Sequence, residues 1–473
     1  MRLDQIPIVS QLRTLAAGRN LDNRLSDRLP TIVNGALFAV TLYLTLSISW
    51  NPPVWIRLAD PYDYLHQSQM PLWHKQFFFP HKAPPTGHQP IAFFPRPFTV
   101  PLIYKLAGSD PDVIVSIQKY IHCLSVWFFV SSLLPLVATN FVRYFLILSS
   151  YLLMSWWNIL RWSIFLLSES LSMSLLLCWI ASFLVLNRWR SIFALALHAL
   201  ITVFLAFTRD TWPYIFLAFY TILLLFSLVS ARYLIRFATA LFVLSIIIFA
   251  ISTKSADIGE RRTLPLINTI ILRIIPSDEY TRWFALRGLP LSDRLVAEFC
   301  DTAWLENRSR INPQAVGKIY QIYADPSYLD LLKWCHGKGA TMYAWFLLTH
   351  PRFAFLLQES PAQLRRILVY DEGFAPKPRG YSKLAQHVFP LFSPASLLVL
   401  LIASVALYAK VARKILLYPV ALGLVFCFNV FISYNADALE VERHLFITGV
   451  MIQVLSIMSL SLVVDGIWTQ RAG

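Results

Sequence analysis

Asp60 and Asp63 stand three residues apart in Leu58-Ala59-Asp60-Pro61-Tyr62-Asp63-Tyr64-Leu65-His66-Gln67. On a helix this spacing puts both carboxylates on one side, where either could act as a general base. The same residues also make a good helix start, with Asp60 as N-cap, Pro61 at the first helical position and Asp63 in the first turn. Glu169, in Leu167-Ser168-Glu169-Ser170-Leu171, lies a few residues into an otherwise apolar run. An acid there faces a bundle interior or a wet cavity, because a charge in lipid is costly; its plain role would be to pair with an Arg such as Arg161. Arg209-Asp210 ends another apolar run. Arg209 could snorkel to a membrane interface or pair with a phosphate.

A fourth cluster, Asp437-Ala438-Leu439-Glu440-Val441-Glu442-Arg443-His444, precedes the last apolar run. Glu440, Arg443 and His444 fall at i, i+3 and i+4, hence on one helix face. A solvated helix start explains part of this, but not the position of Arg443 and His444 directly against the apolar run. His74, His81 and His88 recur every seven residues. Pro80, Pro84, Pro85 and Gly87 break any helix that would align them, so they make a poor metal site. The five cysteines contain no CxxC pair. Cys123, Cys178 and Cys427 sit in apolar runs as small apolar residues, whereas Cys300 and Cys335 share one polar segment and could pair in an oxidising compartment. Asn307-Arg308-Ser309 matches a glycosylation acceptor, relevant only in a eukaryotic secretory pathway.

The elements that must position these groups are apolar runs long enough to span a bilayer. About ten occur, near 31–50, 113–138, 141–158, 163–186, 191–208, 212–230, 236–253, 393–409, 415–434 and 445–465. Composition agrees: of 473 residues, 57% are hydrophobic and 14% charged, against about 45–50% and 25% in soluble domains. A soluble multidomain protein is excluded. The net charge of +15 resides largely in short connections between runs, which argues against nucleic acid as a partner. Arg143, Arg188/Arg190, Arg232/Arg236 and Lys410/Arg413/Lys414 mark alternate connections, and the first segment carries Arg13, Arg19, Arg24 and Arg28. The positive-inside rule makes these connections and both termini cytoplasmic. The first run is read as an uncleaved anchor. Two large polar segments, about 51–112 and 254–392, then lie outside. The second reads as helical from Pro313 to Leu368. Three parts result: a 1–253 transmembrane module, a 254–392 extracytoplasmic domain, and C-terminal helices over 393–473.

The whole pattern resembles the GT-C superfamily of membrane glycosyltransferases, which use polyprenyl-phosphate-linked sugars. Asp60 in the first outer segment, Arg96-Pro97 with Pro101-Leu102-Ile103 after it, Ser168-Glu169-Ser170-Leu171, Arg209, His350-Pro351-Arg352-Phe353 and Glu440…Arg443-His444 carry the resemblance. Pro61 and Tyr62 separate Asp60 from Asp63, where the superfamily often has adjacent acids. The resemblance implies an all-α polytopic membrane protein with a GT-C-like bundle of about ten transmembrane helices and two large extracytoplasmic loops. It also implies inverting transfer of a sugar from a polyprenyl-phosphate donor to an extracytoplasmic glycan or lipid acceptor. Few cysteines in the outer segments and no retention signal point to a bacterial inner membrane over an endoplasmic reticulum.

On that reading Asp60, Asp63 and Glu169 are the catalytic candidates, with Asp60 preferred as base. Arg209, Arg443 and His444 bind the donor phosphate, and Asp210, Glu440 and Arg96 are further site candidates. A divalent cation, Mg or Mn, is left open. The segment from about Phe94 to Leu106 would lie along the interface and shape the lipid entrance. A lipid-linked glycan transporter or flippase, and a polysaccharide polymerase or ligase, are the alternative readings. Scarce Gly and charges confined to helix ends count against transport, whose sites lie near the midplane.

Overall fold

The computed structural model describes residues 28–47, 59–73, 75–78, 96–229, 235–259, 261–299, 322, 325–355, 393–411, 414–436 and 441–472. Every regular element among them is helical. In chain order the main ones are α1 (Arg28–Ser47), α2 (Ala59–Gln69), α3 (Thr99–Leu106), α4 (Pro111–Leu133), α5 (Asn140–Met154), α6 (Ser168–Trp189), α7 (Ile192–Ala206), α8 (Trp212–Val229) and α9 (Ile235–Ile258). There follow α10 (Thr263–Thr269), α11 (Asp278–Ala285), α12 (Asp293–Phe299), α13 (Leu329–Trp334), α14 (Ala340–Thr349), α15 (Pro394–Val411), α16 (Tyr418–Ala436) and α17 (Val441–Ala472).

Among the described residues, seven helices are long and apolar enough to cross a bilayer: α1, α4, α6, α8, α9, α16 and α17. The chain is thus a polytopic helical protein of membrane type. Four further apolar helices are shorter. Three of them, Asn140–Met154, Ile192–Ala206 and Pro394–Lys410, coincide with runs expected to span; the fourth, Thr263–Ile274, falls in the segment expected outside.

Burial separates centre from rim. In α6 and α17, 83% and 89% of the most apolar stretch is inside the protein, against 28% in α9 and 17% in α1. The first two are therefore the bundle's core, and the latter two present their apolar faces to lipid. Local chemistry sets the ends. Asp110 caps α4 by accepting from the amides of Asp112 (2.8 Å) and Val113 (3.2 Å), with Pro111 at the first position. Ser191 caps α7 through the amide of Ala194 at 3.1 Å.

One boundary differs from the sequence expectation. The run 163–186 was expected to be helical throughout, with Glu169 a few residues into it. Instead α5 ends at Met154, short helical turns cover Trp157–Leu160 and Arg161–Ile164, and Phe165 and Leu167 are extended. Glu169 is therefore the second residue of α6. Residues 159–174 are all buried, so the apolarity of this stretch serves protein packing, which hydropathy alone does not distinguish from lipid contact.

The described residues between 263 and 355, here the 263–355 unit, form a second helical group with its own core around Ile270, Phe284, Trp334 and Phe346. Two π-helical turns, Ile270–Ile274 and Cys335–Gly339, interrupt its helices. At Gly339 a side chain would sit 2.8 Å from Leu266 and 3.1 Å from Trp334, so the second turn packs against α10 with little room for a larger residue. The expected helix over Pro313–Leu368 is present within 326–354; its remainder lies outside the described residues. The unit is joined to the end of α16. Arg273 donates to the Tyr434 carbonyl (2.6 Å) with its guanidinium 4.0 Å from that ring, Tyr343 donates to the Asn435 carbonyl (3.0 Å), and Asn435 Nδ2 donates to the Ala354 carbonyl (2.9 Å). These donors satisfy carbonyls that a helix C-terminus leaves open.

Candidate active site

The candidate site forms where α2, α3, the start of α6 and the α7–α8 turn meet at one end of the bundle. α2 already includes Ala59, so Asp60 lies inside the helix and is not its N-cap. The side chain of Asp60 lies outside the described residues. Asp63, one turn on, is buried, and its Oδ2 accepts from both Nε (3.2 Å) and Nη2 (2.9 Å) of Arg96. Gln67 holds Arg96 in place: the Arg96 amide donates to Gln67 Oε1 (2.8 Å), and Gln67 Nε2 donates to the carbonyls of Arg96 (2.9 Å) and Phe77 (2.9 Å). The guanidinium lies 5.6 Å from the Tyr64 ring, which packs edge-on against Tyr104 at 6.0 Å.

α3 carries Tyr104 and packs on α2. The Thr99 amide donates to the Phe207 carbonyl at 3.1 Å, and the Phe98 and Phe207 rings are 4.6 Å apart. This docks α3 on the α7–α8 turn, which carries Arg209. Ser172 of α6 donates to Thr208 at 2.7 Å and docks that turn on α6 as well. Glu169 is completely buried in the first turn of α6, where the helix dipole favours an anion. Its Oε1 lies 3.9 Å from Arg209 Nη2, and its Oε2 lies 3.5 Å from Ser168 Oγ. Arg209 thus turns inward toward Glu169, with its side chain 10% exposed; it does not snorkel outward. Arg209 is thus one ion-pair partner of Glu169, and Arg161, the partner expected from the sequence, is buried as well.

Tyr104 is fully buried, and among the described residues its hydroxyl has no hydrogen-bond partner. Burial, then the neighbouring Tyr64 and then Glu169, hold this phenol well above its ordinary pKa, so it is a neutral donor at any physiological pH. A buried donor without an acceptor is costly, and one beside a buried acid is positioned to meet a bound polar group.

Asp210 is engaged by Arg261 through two bonds, Nε to Oδ2 (2.9 Å) and Nη2 to Oδ1 (3.0 Å). Arg261 also donates to the carbonyl of Ser255 at 3.3 Å. The pair anchors the end of α9 to the α7–α8 turn. Arg443 and His444 lie in the first turn of α17, with side chains outside the described residues, as is all of Glu440. Phe446, in the next turn, touches Trp162 at 4.8 Å. His74, His81, His88, Cys300 and Asn307 also lie outside the described residues. Cys335 is a buried free thiol. Among the described residues no group of three His, Cys, Asp or Glu side chains is placed to hold a metal ion. Asp63 Oδ2 is engaged by Arg96.

The structure thus brings together Asp63, Arg96, Glu169 and Arg209, and adds Tyr104 and Arg261, which sequence reasoning missed. Tyr104 gave no signal, being one aromatic among many. Arg261-Arg262, directly past the apolar run of α9, was a visible one. Also missed were Gln118, Lys119 and His122, buried on α4. Gln118 donates to the Phe165 carbonyl (3.1 Å) and His122 contacts that of Met154 (3.1 Å), bracing the broken segment before α6. Three polar residues within one helical turn of an apolar run were their signal. No protein-family model matches the chain, and no curated protein matches it in sequence.

Proposed function

We propose that the chain is an integral membrane glycosyltransferase of GT-C type, moving a sugar from a polyprenyl-phosphate donor to an extracytoplasmic glycan or lipid acceptor. The observation that carries this reading is the buried Glu169–Arg209 pair at one bundle end, beside the Tyr104 hydroxyl and the Asp63–Arg96 pair. An acid and a cation at a helix N-terminus suit charge that develops during transfer.

Asp63 is engaged by Arg96, and the base is assigned to Asp60. Asp60 takes the proton of an acceptor hydroxyl as its oxygen bonds to the anomeric carbon. The carbon–oxygen bond to phosphate breaks, the electron pair leaves with the lipid phosphate, and the anomeric configuration inverts. Arg209, aligned by Glu169, meets the charge on the departing phosphate, with Arg443 and His444 as further donors. Tyr104 donates a hydrogen bond to the bound sugar phosphate. No step is assigned to a metal ion.

In this reading the chain crosses a bacterial inner membrane ten times, α5, α7 and α15 completing the set. The site end is extracytoplasmic and both termini are cytoplasmic. Support comes from Arg143, Arg188, Arg190, Lys410 and Lys414, which all sit at helix ends away from the site.

The test is transfer of radiolabelled sugar from membrane-incorporated polyprenyl-phosphate donors, wild type against Asp60→Asn at matched expression. Wild-type transfer and a loss of about 10²–10⁴-fold in the variant are expected. Unchanged transfer by Asp60→Asn would remove Asp60 as base. Absence of wild-type transfer from every such donor would overturn the enzyme reading, and movement of a lipid-linked glycan without transfer would replace it with a flippase.

A further inference from the structure

α14 is apolar all round: Ala-Thr-Met-Tyr-Ala-Trp-Phe-Leu-Leu-Thr contains no charged residue. Tyr343 and Phe346 point into the core of the 263–355 unit, while Trp345 is 52% and Leu348 75% exposed on the opposite side. Phe355, just beyond the helix, is 60% exposed. A water-facing side would normally be polar, and clustered large apolar residues on a surface mark a contact. At ten residues, α14 is about 15 Å long, half of what a bilayer core requires.

Its position identifies the partner. Tyr343 and Ala354 bond to Asn435 in the last turn of α16, a helix long and apolar enough to cross a bilayer. The Phe355 ring lies 5.4 Å from Phe431, five residues, or about 7 Å, inside the end of that helix. The end of this segment, at Phe355, is therefore at the depth of the α16 terminus, and α14 runs up to it with Trp345 and Leu348 on its outward side. Lys338 precedes the helix and Arg352 follows it, both exposed, where cations meet lipid headgroups.

We propose that the Trp345, Leu348 and Phe355 face is a phospholipid-binding surface, with α14 lying in the interfacial layer and anchoring the 263–355 unit to the bilayer. The inference rests on the membrane character of the chain and is independent of the transferase reading.

The test places benzoylphenylalanine at position 348 or 355 of the full chain in native membranes, followed by irradiation and mass spectrometry of the labelled peptides. Position 287, an exposed arginine of the same unit stacked on Trp283, serves as the aqueous control. Position 247, half exposed on α9, is the mid-span control. A phospholipid adduct at 348 and 355, and none at 287, is expected. An adduct to another segment or to a second copy, or no adduct at 348, would overturn the proposal. Absence of a lipid adduct at 247 would instead show that the membrane reading itself fails. Gel filtration in detergent must match wild type; should position 348 not fold, position 345 reads the same face.

Discussion

The Glu169–Arg209 pair sets the strongest demands on single residues. Removing one partner of a buried pair leaves an uncompensated charge, at a cost of about 3–5 kcal/mol. The 3.9 Å separation places this pair at the low end, so Arg209→Gln should lower detergent-solubilised stability by about 3 kcal/mol. Adding Glu169→Gln should restore part of the loss, with a coupling of about 1–3 kcal/mol in a double-mutant cycle. Additive losses would mean that the two side chains do not sense one another. Tyr104→Phe separates binding from folding. Deleting an unsatisfied buried hydroxyl should leave thermal stability unchanged or raised. In the proposed transferase it should still reduce kcat/KM about tenfold, the worth of one neutral hydrogen bond. Equal kinetics in wild type and Tyr104→Phe would take the hydroxyl out of the site. None of these pairings was legible in the chain. Residues 40 apart meet here because α7 reverses direction, and a residue's chemistry does not say whether it turns toward lipid or toward a partner.

At the level of elements, apolar length was a reliable guide and apolar cause was not. The positions of α4, α8, α9, α16 and α17 follow the hydrophobic runs within a few residues, because lipid demands about 20 apolar residues whatever the rest of the fold does. The start of α6 was misplaced, since Arg161–Ile164 forms a separate helical turn buried by protein and Phe165 and Leu167 are extended. The docking of the 59–106 segment depends on Gln67, whose amide bridges two distant backbone positions. Gln67→Leu strands those groups, and a loss of about 1–3 kcal/mol is expected, measurable as a shift in thermal unfolding. Cys335 gives a check on the second unit. Burial pushes its thiol up to about 12, so maleimide should not modify it at pH 7 until the protein is denatured. Modification should then need no reductant; a requirement for reductant would indicate a disulfide to Cys300 instead. The sign follows from linkage: the unfolded thiol ionises near pH 9 and the folded one only near 12, so this group weakens the fold as pH rises through that window.

For the whole molecule, the two ends of the bundle are built differently. At the end away from the site, the buried Asp465 of α17 accepts from the amides of Ala138 (3.0 Å) and Thr139 (2.8 Å), closing the last helix onto the start of α5. Asp465→Asn should cost about 1–2 kcal/mol in stability while leaving transfer per folded molecule unchanged; a selective loss of transfer would show the two ends to be coupled.

At the other end, α16 delivers Tyr434 and Asn435 into bonds with Arg273, Tyr343 and Ala354. α16 has 19 residues and is a rod of about 28 Å. A change in tilt of about 10°, as bilayers of different thickness impose, carries its tip about 5 Å sideways. Because that tip is bonded to three separate stretches of the 263–355 unit, the unit must ride with it like a plate on a lever, and membrane thickness becomes a mechanical input to that unit.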